Sequence, residues 1–377
     1  MAGASVVRGA AAAITVRAAD PWASGVSAWL DASCERFYLA RVQAPSGSCE
    51  HLLEARARAS GALVGVLEGS SWFGGVYVSR LAVAEEWRRS RGVGRALLAA
   101  LEREAREGPA RARAAFLCTL DFQGVEYYPR LGFVRQNTVE GLPGGRRVIY
   151  FAKKIGGDGG DGALASAALP AAAMVAASAA PSAAPAADAA AAFDIVSVPA
   201  LALPEPGREE RTEAANSFLR EVFADYSRAS VGMESRWFAF AFEAVAEVGE
   251  GSAAPSAPSA PAPATGGAAP QTAPADAGHT PSAELRVGAI SGMAYFGLLV
   301  IQLVSVEPAY RSRGAGTGLV QAALALGRAR GCTRCVVETM TFQAPRFYER
   351  LGFSEVARVE GFQQGSALVR LVRTLDE

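Results

Sequence analysis

The feature that most constrains the fold of this chain is an internal duplication. Residues 121–133 (DFQGVEYYPRLGF) match residues 341–353 (TFQAPRFYERLGF) at Phe, Gln, Tyr, Arg, Leu, Gly and Phe. Upstream, RSRGVG (89–94) matches RSRGAG (311–316), and downstream VEGLPGGRRVIYF (139–151) resembles VEGFQQGSALVRL (359–371). Three segments in the same order and at nearly the same spacing indicate two copies of one structural unit.

Length and charge are consistent with two soluble domains. A chain of 377 residues is too long for one ordinary core. The 37 basic and 37 acidic residues balance, which argues against a nucleic-acid partner held by bulk charge. No apolar run has the length of a membrane span, so we expect no membrane association. A cytoplasmic location is favoured; the acid-free first dozen residues, which include Arg8, are the one weak sign of a transit peptide.

The five cysteines do not predict a disulfide framework or a metal site. Their number is odd and their spacing irregular, which disfavours the disulfide pattern of a small secreted protein. Cys332 and Cys335 form a CxxC pair, but there is no second pair and the chain has only two histidines. Zinc is therefore disfavoured. We expect buried structural thiols and no bound metal.

Composition divides the chain into two domains and two low-complexity stretches. The first domain is predicted over residues 12–155 and the second over residues 193–374. Residues 156–192 are rich in Ala, Gly and Pro and cannot bury enough apolar surface to fold, which predicts a flexible linker. A similar stretch at about 249–282 lies between two predicted strands and is expected to be a disordered insertion.

Each copy contains a glycine turn between an apolar β-rich run and an amphipathic helix. Glycines there let the backbone approach a ligand closely, and the exposed amides and dipole of a helix N-terminus favour phosphate. The first copy has one extra residue before its turn (Trp87-Arg88-Arg89 against Tyr310-Arg311), and the spacing places Arg89 in the motif position. The predicted anion-binding residues are Arg89, Arg91, Gly92, Val93 and Gly94 in the first turn, and Arg311, Arg313, Gly314, Ala315 and Gly316 in the second.

The order strand, Arg-x-x-Gly-x-Gly, helix, strand, Tyr-x-x-Leu-Gly-Phe resembles the GNAT superfamily of acyl-CoA-dependent N-acetyltransferases. The resemblance covers residues 12–155 and 193–374 outside the insertion. It implies an α+β fold with two tandem GNAT-like domains. Each would be a mostly antiparallel sheet of six or seven strands flanked by about four helices. Two central parallel strands would splay apart to admit the pantetheine arm of CoA.

The resemblance also implies roles for particular residues. Acetyl-CoA would be the co-substrate, with its pyrophosphate on the glycine turns, and Tyr128 and Tyr348 would be the general acids near the thioester sulfur. Gln123 and Gln343 lie where a polar side chain approaches the cofactor. The alternatives are that the tyrosines are core aromatics beside Leu-Gly-Phe and that the glutamines brace the following helix.

The general base is not identified by the sequence. Glu338 is a candidate on the strand beside the expected cleft, although its counterpart in the first copy is Cys118. A backbone amide at the end of the strand near Val83 or Val306 could stabilise the oxyanion.

These residues predict an N-acetyltransferase that transfers an acetyl group from acetyl-CoA to a primary amine by direct attack in a ternary complex. A small molecule is the favoured acceptor, and the oligomeric state is left open. The second interpretation is that one or both domains bind CoA without turnover, as regulatory or scaffolding modules. A dinucleotide-binding fold is disfavoured because the turns lack the third glycine of GxGxxG.

Overall fold

A computed structural model of the chain describes residues 5–9, 12–20, 24–43, 46–88, 92–156, 193–199, 208–231, 237–248 and 283–375. The predicted insertion and all of the predicted linker except Gly156 lie outside these residues. The described residues form an α+β structure, as expected. Its helices are α1 (Ser24–Val42), α2 (Val93–Glu107), α3 (Arg208–Val231), α4 (Ala315–Ala329) and α5 (Pro345–Arg350).

Fifteen strands are present in the described residues. In chain order they are β1 (Ser5–Gly9), β2 (Ala12–Ala19), β3 (Cys49–Ala57), β4 (Leu63–Trp72), β5 (Gly75–Val83), β6 (Ala114–Leu120), β7 (Val134–Leu142), β8 (Arg146–Lys154), β9 (Phe193–Pro199), β10 (Phe238–Val248), β11 (Ala283–Tyr295), β12 (Leu298–Val306), β13 (Arg334–Met340), β14 (Ser354–Val359) and β15 (Leu368–Thr374).

The strands build two sheets. The first sheet has seven strands in the order β7-β8-β6-β5-β4-β3-β9, and the second has eight in the order β1-β2-β10-β11-β12-β13-β15-β14. Strands β5 and β6 pair in parallel, as do β12 and β13, while neighbours such as β4 and β5 or β13 and β15 are antiparallel. The mostly antiparallel architecture is confirmed. The second sheet exceeds the expected six or seven strands because β1 forms a hairpin with β2. The described residues hold five α-helices, fewer than the expected four or so per sheet.

The two sequence halves exchange their first strands. Strand β2, which precedes the first glycine turn, pairs with β10, with Val16 opposite Ala244. Strand β9, which follows the predicted linker, pairs with β3, with Val196 opposite Glu54. Sequence boundaries at 12–155 and 193–374 place β2 in the first domain and β9 in the second. In the structure, each strand completes the sheet of the other half.

The helices that follow these strands are exchanged in the same way. On α3, Ala215 and Leu219 are buried against Val66 and Ala82 of the first sheet. On α1, Val26 and Leu30 are buried against the second sheet, in a cluster with Ala241 and Ala289. Each sheet is therefore extended by a strand and covered by a helix that come from the other half of the chain.

The chain forms two compact units that do not follow the sequence halves. The smaller unit comprises Met1–Leu30, Phe240–Ser291 and Leu303–Ala323. Its described core contains Val26, Leu30, Ala241 and Ala289. The larger unit comprises Asp31–Ala239, Gly292–Gln302 and Leu324–Glu377. It contains the whole first sheet and part of the second.

Within the larger unit, the halves meet through equivalent hairpins. A Cβ on Gly74, in the β4–β5 turn, would lie 3.3 Å from Cγ of Gln363. A Cβ on Gly297, in the β11–β12 turn, would lie 2.2 Å from Cδ of Pro143. Pro143 and Gln363 each begin the short 3-10 turn between the last two strands of their copy. Because the same two elements meet in both directions, the contact has the local two-fold form of a symmetric dimer interface.

Candidate active site

The central parallel strands of each sheet separate after four residue pairs. Strand β5 pairs with β6 from Gly75 opposite Ala114 to Val78 opposite Leu117, and the ladder ends there although β5 continues to Val83. In the second sheet, β12 and β13 pair only as far as Ile301 opposite Val337. The splayed strand pair expected from the family resemblance is therefore present in both copies.

The first glycine turn ends in a left-handed residue that starts helix α2. Gly92 has φ of 68° and precedes Val93, the first helical residue. The Ala96 amide donates to the Gly92 carbonyl oxygen at 2.9 Å. The preceding helical amides, those of Val93, Gly94 and Arg95, have no acceptor inside the helix, so they and the positive end of the helix dipole favour an anion. Arg89 and Arg91 lie outside the described residues.

The second turn has the same backbone form. Gly314 has φ of 88°, and its carbonyl oxygen accepts the Gly318 amide at 2.8 Å. Helix α4 begins at Ala315, followed by Gly316. The Arg313 guanidinium lies over the Tyr310 ring, 5.4 Å from its centroid, which is within reach of a cation–π contact. The two turns thus present equivalent helix N-termini.

Arg88, which the sequence comparison passed over, makes the contact that Arg311 makes in the second copy. The Arg88 Nε donates to the Val83 carbonyl oxygen at 2.9 Å, and the Arg311 Nε donates to the Val306 carbonyl oxygen at 2.9 Å. Val83 and Val306 end their strands. Counted from the strand, the counterpart of Arg311 is therefore Arg88. The extra residue of the first copy therefore follows Arg88. Aligning the two copies from the ends of these strands would have shown in the sequence that Arg88 corresponds to Arg311.

Tyr348 is buried and Tyr128 is half-buried, and both lie among aromatic rings. Tyr128 packs edge-on against Tyr127 at 5.4 Å and Phe133 at 6.0 Å between centroids. Tyr348 packs edge-on against Phe347 at 5.1 Å and Phe353 at 5.8 Å. Burial raises the pKa of both phenols above the ordinary value, so both are protonated at neutral pH. Core packing therefore accounts for the position of both rings, while their protonation suits a general acid.

A different tyrosine directs its hydroxyl at the first glycine turn. A Cβ on Gly94 would lie 2.6 Å from the Tyr127 Oη. This hydroxyl is buried and has no hydrogen-bond partner in the described part of the structure. Burial raises the pKa of Tyr127 to about 12, partly offset by the nearby Arg95. The second copy has Phe347 at this position, so sequence matching between the copies drew attention to the shared tyrosine and away from Tyr127.

The two glutamines bond back to the end of the preceding strand. The Gln343 Oε1 accepts the Met340 amide at 2.7 Å and the Thr339 hydroxyl at 2.9 Å, and its Nε2 donates to the Tyr38 hydroxyl at 3.0 Å. The Gln123 Oε1 accepts the Leu120 amide at 3.3 Å. The backbone and hydroxyl donors belong to the preceding strands and not to the following helix that the bracing alternative named. Contact with a cofactor stays a prediction for both residues.

Glu338 is bound by an arginine. Its Oε1 accepts from Nε and Nη2 of Arg370, the former at 2.8 Å, and the Arg370 Nη1 donates to Asn137 Oδ1 at 2.7 Å. The Glu338 carboxylate is therefore engaged in an ion pair with Arg370. The thiol at the equivalent position, Cys118, lies 3.2 Å from the Tyr77 hydroxyl.

The remaining cysteines are structural in their surroundings. Cys332 and Cys335 are free and buried, and burial raises the pKa of both thiols. Among the residues that the structure describes, no group of three or more His, Cys, Asp or Glu side chains could hold a metal ion.

Comparison with known proteins agrees with this geometry. A family model described as the acetyltransferase (GNAT) family matches residues 19–133, and one described as the acetyltransferase (GNAT) domain matches residues 281–355. Together they match about half of the chain, one in each copy. The chain belongs to the GNAT acetyltransferase family.

Individual relatives match parts of the chain. A blasticidin-S acetyltransferase of Streptomyces morookaense is 34% identical over 89 residues, 23% of this chain and 65% of the relative. An acetyltransferase of Agrobacterium fabrum is 32% identical over 84 residues, 22% of this chain and 61% of the relative. The match thus spans less than two thirds of each relative. A crystal structure of an acetyltransferase from Bacillus cereus is 17% identical, with a TM-score of 0.30, and the match covers 46% of this chain and 96% of that one.

Not one of the helices described above is both long enough and apolar enough to cross a bilayer.

Proposed function

We propose that the chain is an N-acetyltransferase that transfers the acetyl group of acetyl-CoA to a primary amine of a small molecule, by direct attack in a ternary complex. The observation that carries the proposal is the arrangement in the first copy. There a splayed parallel strand pair, a glycine turn at a helix N-terminus and a half-buried tyrosine pair belong to one compact unit.

The residues of the first turn fit acyl-CoA. The amides of Val93 and Gly94 suit the pyrophosphate, since a helix N-terminus is a ready anion site. The unpartnered Tyr127 hydroxyl supplies a further donor, which a bound oxygen would satisfy. The proposed cofactor-binding residues are Arg89, Arg91, Gly92, Val93, Gly94 and Gln123 in the first copy, and Arg311, Arg313, Gly314, Ala315, Gly316 and Gln343 in the second.

The reaction requires the protein to position the two substrates and to supply one proton. The amine nitrogen forms a bond to the thioester carbonyl carbon, the carbon–sulfur bond breaks to release the CoA thiolate, and the nitrogen loses a proton to solvent water. A backbone amide near Val83, beyond the end of the β5–β6 ladder, would stabilise negative charge on the carbonyl oxygen. Tyr128, protonated because burial raises its pKa, would give a proton to the departing thiolate, and Tyr348 would do so in the second copy.

A direct test is thioester-dependent release of free CoA by the full chain with a panel of amines. The panel contains blasticidin S, the substrate class in the name of one relative, with spermidine and a lysine-containing peptide. The parent protein is compared with Tyr128→Phe, Tyr348→Phe and the double variant. We expect turnover of at least one amine, and a loss of kcat of about 100-fold in the double variant, since a positioned acid contributes at least that much.

Two results would contradict the proposal. If calorimetry shows acetyl-CoA binding but no panel amine is acetylated, the chain is a CoA-binding module. If the double variant keeps its kcat and its affinity for acetyl-CoA, the tyrosines are core aromatics and the proton comes from elsewhere. Because each single variant leaves one copy intact, the two single variants also show which copy turns over.

A further inference from the structure

The two helices beside the first active site pack on opposite faces of the sheet. On β5, Leu81 and Val83 join the core cluster that contains Leu97 of α2. The intervening Ala82 joins the cluster with Leu219 of α3. Successive side chains of a strand point to opposite faces. Helix α2, with its glycine turn, therefore covers one face, and α3 covers the other.

This arrangement determines where an acceptor can approach. The β5–β6 ladder ends at Val78, so the gap beyond it connects the α2 face with the α3 face. An acyl chain held by its pyrophosphate at the turn on the α2 face would enter this gap and present its thioester towards the α3 face. The amine must then come from the side that α3 covers.

A polar patch lies on that face, and α3 contributes to it. The Arg80 Nη2 donates to the Asn216 Oδ1 at 3.0 Å, and the Arg80 Nε donates to Glu68. The Arg80 side chain is 41% exposed and that of Glu68 is 20% exposed, so a ligand can reach both. We call Glu68, Arg80 and Asn216 the acceptor patch. Two of its members belong to the N-terminal half of the chain and the third to the C-terminal half.

The second sheet carries the exchanged counterpart, with different chemistry. Leu303 lies three residues before the end of β12, as Arg80 does in β5, and it packs with Val26 and Leu30 of α1. The position that is occupied by Arg80 in the first sheet is thus apolar in the second. There too, the covering helix comes from the opposite half of the chain.

From the proposed function and this packing we infer that the first active site takes its acceptor-recognition helix from the other half of the chain: α3 of the C-terminal half forms the acceptor side of the site whose glycine turn belongs to the N-terminal half. In the first site, Asn216 holds the Arg80 guanidinium in place for a polar acceptor. The first active site then combines a cofactor turn from one half with an acceptor helix from the other.

The experiment uses the full chain with Tyr348→Phe, so that turnover reports the first site. In this background Asn216→Ala is compared with Ser217→Ala, a neighbour on α3 whose hydroxyl contacts Glu221 of the same helix in an exposed position. The acceptor is the panel amine with the highest kcat/KM. For Asn216→Ala we expect the acceptor KM to rise about 10-fold, while the dissociation constant of acetyl-CoA changes less than about twofold; one lost contact of 1.4 kcal/mol corresponds to a factor of ten. Ser217→Ala should leave both values unchanged.

The outcomes separate this inference from the function on which it rests. If the background protein acetylates the amine and Asn216→Ala leaves the acceptor KM unchanged, the assignment of α3 to the acceptor side is wrong although the enzyme is real. If Asn216→Ala weakens acetyl-CoA binding and acceptor binding alike, α3 has only a structural role and the inference also fails. If the parent protein acetylates no panel amine, the proposed function fails and this inference fails with it.

Discussion

The Arg370 guanidinium lies over the ring of Tyr150, 3.5 Å from its centroid, although the two residues occupy the same position in the two copies. Tyr150 is opposite Cys118 in the first sheet, and Arg370 is opposite Glu338 in the second. Two equivalent residues that face each other mark a local two-fold axis. In a dimer of identical chains, each of these residues would contact the same residue of the partner chain. Here the duplication has allowed the pair to diverge into a cation and an aromatic ring.

Removing Arg370 should destabilise the chain strongly. Its side chain is 2% exposed and binds Glu338, Asn137 and the Tyr150 ring. Loss of one partner from a buried ion pair costs about 3–5 kcal/mol, since the remaining charge is left uncompensated. We expect Arg370→Ala to lower the free energy of unfolding in urea by about this amount. Arg370→Met combined with Glu338→Gln should lose less, because no buried charge remains.

Arg220→Ala is the control for this measurement. Arg220 pairs with Glu213 on the surface of α3, and both side chains are more than half exposed. Such pairs contribute about 0–1 kcal/mol. If Arg370→Ala is no more destabilising than Arg220→Ala, the buried contact does not hold the two halves together.

Tyr127→Phe should stabilise the free protein and weaken acetyl-CoA binding. The substitution removes a buried hydroxyl that has no partner, and burying such a group costs about 1–3 kcal/mol. If the hydroxyl donates to bound acetyl-CoA, its loss should raise the dissociation constant by about 3–10-fold, the value of one hydrogen bond. Thermal unfolding with and without acetyl-CoA, together with calorimetry, measures both effects. An unchanged dissociation constant would show that Tyr127 does not touch the ligand.

Local patterns in the sequence were sufficient to predict the glycine turns, whereas the α+β class and the splayed strands were expected from the family resemblance. RSRGVG and RSRGAG each sit between an apolar run and an amphipathic helix, and Gly92 and Gly314 adopt the expected left-handed backbone. The domain boundaries were drawn from composition, which shows where a chain can fold but not which sheet a strand joins. Nothing local in β2 or β9 distinguishes pairing within a half from pairing across halves, since their apolar patterns suit either sheet.

Some of the site residues could likewise be expected from the sequence, and others are found only in the structure. The roles of Tyr128 and Tyr348 were expected from the family resemblance, whereas the Tyr127 hydroxyl occurs in one copy only and is found from its position beside Gly94. The Arg80–Asn216 contact joins residues 136 positions apart, and no pattern in the sequence connects them.

Stability should fall in alkaline solution before the buried tyrosines titrate. Burial raises the pKa of Tyr127 to about 12 and raises those of Tyr77 and Tyr150 further. In the unfolded chain these phenols lose their protons near pH 10. Above that pH the unfolded state binds fewer protons than the folded state, so the free energy of unfolding decreases as pH rises from about 10 towards 12. Urea midpoints across this range measure the decline.

Tyrosinate absorbance measures the ionisation of these phenols directly. In the folded protein these phenols should stay protonated past pH 10 and ionise together with unfolding. A stability that is flat across the range, with tyrosinate appearing in the folded protein, would contradict the prediction.

A double-mutant cycle between Gly94 and Tyr127 tests the geometry of the first turn. A Cβ at residue 94 would lie 2.6 Å from the Tyr127 Oη and 3.4 Å from its Cζ. Gly94→Ala should therefore clash with the hydroxyl in the parent protein but be tolerated in Tyr127→Phe. We expect a coupling of about 1–2 kcal/mol in the free energy of unfolding, within the range for residues in contact.

Gly92→Ala is the matched control for the cycle. Gly92 also lies in the turn, but a Cβ there would meet none of the described residues within 4 Å. The cost of Gly92→Ala comes instead from the left-handed backbone of residue 92, with φ of 68°. That cost is independent of Tyr127, so Gly92→Ala and Tyr127→Phe should be additive within about 0.5 kcal/mol. Additivity for Gly94→Ala as well would mean that the Tyr127 hydroxyl does not lie against the turn. Because this cycle is measured on the free protein, it tests the turn independently of any acetyl transfer.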